Sequence, residues 1–533
     1  MKKLITGIAL TCVLITLSGC KKWLDVNRNP NGPDAVAANL YLAPMLQGVV
    51  LGEQWDGRFI SRYIQNWSSI NDSDIWDKMG YQAPPSDNGG ELWKTTYFVL
   101  GQNLLDMMTK AEAENRYDIL GVGYILKAIG YQKSTAVNGE IIVKEALMPN
   151  KSTFAYDNQD FVYQEIDRLL GVAITNLERT DGTVSSTYLS KGDIVYGGNR
   201  EKWLKFAYGL RAITLNHLTN KSGLYDPAKV IEYVDKSFAN STDDAFLTFT
   251  SSAAGGGSSA LANFWGQMRG NLNTVRQTQY IVALLDGTVF GTTPDPRLGR
   301  MLQASPNGKF TGLQPTYATT ATYPTVADRP NSFFGTAGNV LLTSTGRYLF
   351  DDKAKAPLMT YFQLQFVKAE AAILANNKAL ALDAYKNAVL AHLNFVNAAN
   401  ASVTNNTATQ MSPAEITAFM ADPKIVPTSA SNLTLKHVMS QKYIAQFAWA
   451  FVETWTDLRR YHYTDIDPTT GEQIFKGFMP VEVGRLFADN LGELTYRLRP
   501  RYASEYVWNV PALTKIGGME INFQATQPWI FKK

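Results

Sequence analysis

The chain has 533 residues, long enough to bury a large core in one big domain or two. Fifty Lys and Arg stand against 47 Asp and Glu, a net charge of +3, which leaves no electrostatic footprint for nucleic acid or an anionic lipid surface. Both cysteines, Cys12 and Cys20, lie at the N-terminus, so the rest of the chain has no thiol for a disulfide or a thiolate metal site. His217, His392, His437 and His462 are scattered, with no pair at metal-ligand spacing, and each reads as an ordinary helix residue. No metal or cofactor is expected. Aromatic residues make up 12% of the chain, with eleven Trp, and Trp and Tyr are the side chains that form flat contact platforms.

In chain order, Met1-Lys2-Lys3 opens on two lysines, followed by an apolar run over residues 4–17 and then Leu17-Ser18-Gly19-Cys20. This reads as a secretory signal, too short for a spanning helix. Its last four residues resemble a bacterial lipobox, in which the Cys is acylated and becomes the first residue of the mature protein. The expectation is a signal peptide over 1–19 and lipidation at Cys20, which hold the protein to a membrane outside the cytoplasm. Removing 1–19 takes away Lys2 and Lys3 and leaves the balance at +1. Residues 20–44 read as a tether, because Asn27, Asn29, Pro30, Asn31, Gly32 and Pro33 are turn residues without helical period.

Residues 45–533 read as a single large domain in which helical patterns come in pairs. Runs over 92–113 and 116–134 are separated by Glu114-Asn115, and 160–178 places Val162, Ile166, Leu169, Ala173 and Leu177 on one face. The run 200–218 aligns Trp203, Phe206, Leu210, Ile213 and His217, and Asp226-Pro227 caps its partner. The clearest pair is C-terminal: 358–374 carries Leu364, Val367, Ala371 and Leu374, and 380–396 returns with Tyr385, Ala388, His392 and Phe395. A long helix is expected over 433–461. Between the pairs, residues 239–347 are rich in Gly, Ser, Thr, Asn and Pro yet carry Phe264, Trp265, Tyr317, Tyr323, Phe333 and Phe334, which argues for a functional loop region over plain disorder. The fold class is therefore mainly α: tetratricopeptide-like helical hairpins packed against an irregular, loop-rich region.

Four segments together resemble the SusD/RagB family of outer-membrane nutrient-binding lipoproteins of Bacteroidota. They are Lys22-Trp23-Leu24-Asp25-Val26-Asn27 after the lipobox, the helix ending Lys368-Ala369-Glu370-Ala371, Gln441-Lys442-Tyr443-Ile444-Ala445 leading to Trp455-Thr456-Asp457-Leu458-Arg459-Arg460, and Arg501-Tyr502 with Ser504-Glu505-Tyr506 and Asn509. The resemblance implies four helical hairpins, a lid over a SusC-like TonB-dependent transporter, and capture of an oligosaccharide or peptide for import without cleavage. It also implies an outer-membrane location, lipid-anchored and facing the cell exterior.

Candidate ligand contacts are aromatics and polar groups in irregular sequence. Trp55, Tyr63 and Trp67 sit at near-helical spacing and read as core, whereas Trp76 and Tyr81 lie in a Pro/Gly-broken stretch where core and platform remain equally open. The expected ligand site joins Arg58, Trp76 and Tyr81 to Trp265 and Arg269, with Tyr317, Tyr323 and Phe333 as the next set. A loop Trp acting as a stacking platform should lose affinity on truncation while the fold stays intact. Two other readings stand beside binding. A surface glycoside hydrolase needs two carboxylates across the scissile bond; Asp193, Glu370 and Glu453 lie in helical or capping contexts, and no Gly-x-Ser-x-Gly, His-Glu-x-x-His or phosphate loop is present. A structural helical-repeat scaffold would explain the hairpins but not the aromatic loops. Asp72, Asp74 and Asp77 lack the glycine and distal Glu of a hand-type calcium loop.

Overall fold

A computed structural model describes residues 36–533 apart from 83–84, 251–261, 319–322, 324, 337–339, 341–343, 345 and 403–408. The signal peptide, Cys20 and the run Gly255-Gly256-Gly257-Ser258-Ser259 fall outside the described residues. Folded structure starts before residue 45: a 3-10 turn over Ala38–Tyr41 leads into α1, Leu42–Tyr63, and Ala38 and Leu42 are fully buried. The last few residues assigned to the tether are thus part of the core.

Helical pairs dominate the first half. The run 92–113 is not one helix: a turn of α-helix, Glu91–Lys94, widens into a π-helix over Thr95–Leu100 before α2, Gly101–Ala113. The widening lets the Thr96 hydroxyl donate to the Gly130 carbonyl (2.9 Å) and meet the Ser134 hydroxyl (2.7 Å) on α3, Tyr117–Asn138. Next comes α4, Gln159–Glu178, and all five residues of its expected stripe are buried. Then α5, Arg200–Asn216, and α6, Pro227–Asp235, form a hairpin; the Asp226 carboxylate accepts from the Ala228 and Lys229 amides at the start of α6.

Two short antiparallel ladders fasten the loop region. Strand β1, Trp67–Ser69, pairs with β3, Val275–Gln277, and β2, Ala245–Leu247, pairs with β4, Ala356–Met359. One helix, α7, Gln279–Leu285, follows β3 directly.

The hairpin α8, Tyr361–Leu374, and α9, Lys378–Ala401, has its expected faces, except that Leu374 is exposed. Helix α8 is buried almost all round because it is the wall shared by two cores. Leu364, Val367 and Ala371 pack with α2–α6, while Phe362, Phe366, Ala369 and Ala372 pack with the aromatic interior of the C-terminal half. The two cores thus meet across one helix.

The expected helix over 433–461 is broken into α10, Leu435–Gln446, and α11, Phe451–Arg460. Ala448 adopts φ +69°, a left-handed conformation that ends a helix, and its amide donates to the Asn66 side chain at 3.1 Å. Below the break, Arg460 and Lys442 neutralise Glu370 and Asp457 inside the protein, with Arg460 to Glu370 at 2.9 Å and Lys442 to Asp457 at 2.8 Å. Isolated buried charges would be prohibitive, and this four-residue cluster compensates each of them.

Candidate ligand-binding site

The structure joins the two loop segments singled out in the sequence, but in the interior. Trp265 is only 1% exposed and sits among Trp67, Phe350 and Phe451, with ring centroids 5.7, 6.3 and 5.7 Å away. Trp76 is 6% exposed and packs on Phe59 at 4.4 Å and Tyr63 at 6.0 Å. The β1–β3 pairing draws both loops onto α1 and α11, and their indoles become core. The expectation that Trp76 and Trp265 are surface platforms is corrected accordingly.

Arg58 is half-buried, with its guanidinium 4.1 Å from the Trp55 ring and 5.0 Å from Phe59. Arg269 is an interior strut: it donates to the Gly266 carbonyl (2.7 Å) and the Ser344 carbonyl (2.8 Å) and pairs with Asp352. Phe333 is likewise core, stacked on Phe350 at 4.2 Å and 8°.

Of the five candidates, Tyr81 lines an open cavity of about 380 Å³. The chain leading to it is tightly directed. Asp77, fully buried, accepts from Arg62 (2.9 Å), the Ser68 hydroxyl (2.8 Å) and the Ser69 amide (2.7 Å), so both its oxygens are occupied by protein donors. Among the described residues no group of three His, Cys, Asp or Glu gathers as a metal site. Met79 turns at φ +56°, and Tyr63 donates its hydroxyl to the Gly80 carbonyl. A Cβ on Gly80 would lie 2.5 Å from the Phe487 ring, so only glycine lets the chain pass there. Tyr81 then lands edge-on against Phe487 at 5.4 Å.

The facing wall comes from the C-terminus. Arg499 places its guanidinium 4.4 Å from the Tyr81 ring and donates to the Tyr506 hydroxyl at 3.0 Å. Just beyond Pro500, a π-helical turn over Tyr502–Tyr506 holds the two tyrosine rings nearly parallel, 6.1 Å apart at 18°. Asp87 pairs with Arg501 at 3.0 Å, and the Tyr81 hydroxyl donates to Asp489 at 2.9 Å. Desolvation raises the Tyr81 and Tyr506 hydroxyls above the usual phenol range, although Arg499 opposes this, so both stay protonated donors at neutral pH.

Three tyrosines line the cleft with planar amide, carboxylate and guanidinium groups between them; in such an arrangement rings can present π-faces to apolar C–H surfaces while polar edges fix orientation. Sequence reasoning missed Arg499, Tyr502 and Tyr506 as site residues. The available signal was two tyrosines four apart, the first two residues after Pro500, in a segment with no helical stripe. The carboxylates weighed for catalysis are structural. Asp193 holds the turn before α5, accepting from the Val195 and Tyr196 amides (both 3.0 Å), the Gly198 amide (2.8 Å) and the Trp203 indole (2.9 Å), while Glu453 accepts from Gln132 (2.7 Å) and pairs with His217 (2.9 Å). Glu370 lies in the buried charge cluster.

A SusD-like family model, described as "Starch-binding associating with outer membrane", matches residues 30–484. A SusD/RagB family protein from Bacteroides thetaiotaomicron has a similar structure, with TM-score 0.69 and 20% identity, covering 93% of this chain and 99% of that one. A SusD homologue from Bacteroides fragilis gives TM-score 0.69 at 16% identity, over 93% and 100% of the two chains. A chitin-binding SusD homologue from Flavobacterium johnsoniae gives 0.65 at 18%, over 93% and 98%. At these identities the likeness is one of fold. No curated protein matches the sequence.

Proposed function

This chain belongs to the SusD-like family, and we propose that it is a nutrient-binding lipoprotein that captures an oligosaccharide in the Tyr81–Arg499–Tyr502 cleft. Cys20 is its lipid anchor, and a SusC-like TonB-dependent transporter receives the bound glycan. The observation that carries this reading is the cleft itself: stacked tyrosines flanked by planar hydrogen-bonding groups suit the alternating C–H faces and hydroxyl edges of a sugar chain. A family description naming starch and a relative named for chitin favour a glycan over a peptide. The reading is binding without turnover, since the interior carboxylates are held by structural partners.

Calorimetric titration with malto- and chito-oligosaccharides, and with peptides of similar length, tests the assignment. Tyr502→Ala should weaken the best ligand at least tenfold, about 1.4 kcal/mol, while the unfolding midpoint stays close to wild type. Equal affinity in Tyr502→Ala and Tyr81→Ala would remove the cleft from consideration.

A further inference from the structure

A second cavity, of about 320 Å³, lies between the β2–β4 ladder and α9, within the size range of small-molecule sites, roughly 300–1,000 Å³. Asp244 and Phe246 line it, while Ala245 and Leu247 turn the other way and are buried. From α9 come Ala391, Asn394, Phe395 and Ala398, spaced three and four apart so that one helical face looks into the space. The Phe246 and Phe395 rings lie nearly parallel, 5.9 Å apart at 10°, and with Leu349 and the alanines they make the walls largely apolar.

Two opposite charges stand in this apolar setting, and neither has an ion-pair partner among the described residues. Asp244 is half-buried. Its Oδ1 accepts from the Tyr361 amide at the start of α8, at 2.5 Å, and its second oxygen takes no protein donor yet is not sealed from solvent. Asp243 next to it shows the ordinary arrangement, an ion pair with Lys205 at 3.2 Å. Desolvation raises the Asp244 carboxyl to about 7 although the Tyr361 amide opposes it, which marks a carboxylate short of counter-charge. Lys355 is the other charge: its side chain is exposed, and its ammonium lies 5.6 Å from the centroid of the Phe246 ring. No ion pair joins Lys355 to Asp244, so the space between them is left for a ligand.

An open carboxylate calls for an ammonium donor, a lysine across the cavity calls for a carboxylate, and phenyl, leucine and alanine walls call for an apolar body. We propose that this cavity binds a free α-amino acid with a large apolar side chain, its ammonium on Asp244, its carboxylate toward Lys355 and its side chain against Phe246, Phe395 and Leu349. A neutral sugar would leave both charges unanswered, and a simple anion would meet Asp244. The site shares no lining residue with the Tyr81 cleft.

The test uses the full chain, with L-phenylalanine and L-leucine titrated calorimetrically and N-acetyl-phenylalanine and phenylalanine amide as probes of the two ends. Both amino acids should bind. Acetylation should weaken binding roughly tenfold or more, as loss of a charge-assisted hydrogen bond does, and amidation about threefold, because Lys355 is exposed and its charge is screened. Asp244→Asn keeps an acceptor for the Tyr361 amide and removes only the charge, so it should melt no lower than wild type and lose about tenfold in affinity. Ala398→Leu, at an exposed lining position, fills part of the cavity and should weaken both amino acids in a folded protein. The site is overturned if neither amino acid binds, if N-acetyl-phenylalanine binds as well as phenylalanine, or if Ala398→Leu binds as wild type. Should Asp244→Asn fail to fold, Ala398→Leu and the acetylated probe decide. A dipeptide, phenylalanyl-leucine, binding more tightly than either amino acid would overturn the assignment to a single amino acid. Oligosaccharide affinity in Asp244→Asn should equal that of wild type, so failure of this site and failure of the cleft are distinguishable.

Discussion

Trp265→Ala measures the boundary between core and surface in the loop region. The indole is 1% exposed and meets Trp67, Phe264, Phe350 and Phe451 within 6.3 Å. Burying about 150–250 Å² of aromatic surface at about 25 cal/mol/Å² contributes roughly 4–6 kcal/mol, an upper figure because the unfolded chain already hides some of it. A partly relaxed cavity adds to the loss, and large-to-small core substitutions of Trp and Phe cost about 3–5 kcal/mol overall. Trp508→Ala is the control: this side chain is 70% exposed, and its loss should change stability by no more than about 0.5 kcal/mol. Urea unfolding followed by far-UV circular dichroism gives both values. A Trp265→Ala protein within about 1 kcal/mol of wild type would refute the packing argument and return this residue to the set of surface platforms.

Acid unfolding reports on Glu453. Burial pushes its carboxyl up, but His217, Lys133 and the Gln132 hydrogen bond outweigh that and hold it at about 2, against 4.5 in the unfolded chain. Its stabilisation, on the order of 3 kcal/mol, is therefore present above pH 4.5 and lost as pH falls toward 2, and Glu453→Gln should show a shallower pH–stability slope across that window by urea titration. Cys20→Ala should release the mature protein from the membrane fraction in cells lacking the transporter, because acyl chains supply about 0.8 kcal/mol per buried methylene; a variant that remains sedimented would argue against the anchor.

Much of the architecture could be read from periodicity, because helix packing is a local code. The stripe Val162, Ile166, Leu169, Ala173 and Leu177 is the buried face of α4, since five apolar residues at that spacing have one way to leave water. The long helix over 433–461 failed for a tertiary reason. Asn66, nearly 400 residues earlier, captures the Ala448 amide, and nothing in the sequence around Ala448 announces that partner. Trp76 and Trp265 failed in the same way: irregular local sequence suggested loops at the surface, but a three-residue ladder, β1 with β3, folds those loops into the core. Irregular backbone is therefore no evidence of exposure when a distant strand can satisfy its amides.

Tyrosines occur both in the interior, where Tyr63, Tyr348, Tyr385, Tyr443 and Tyr463 are fully buried, and in the cleft, and the polar atom each aromatic carries bears on which of them can meet a ligand. Trp67, Trp203, Trp265 and Trp455 are fully buried; the Trp203 and Trp455 indoles each find an acceptor, Asp193 and the Tyr463 hydroxyl, both at 2.9 Å, inside the protein. A tyrosine hydroxyl can donate and accept at once, and it projects beyond the ring edge, so a half-buried tyrosine can pack its face on the protein and still offer its edge to a ligand. Tyr81, Tyr502 and Tyr506 line the cleft in this way. For this chain the residues to substitute in search of ligand contacts are tyrosines. Truncating the buried tryptophans will instead report on folding, and a lowered ligand titration in those variants should track the fraction of protein unfolded.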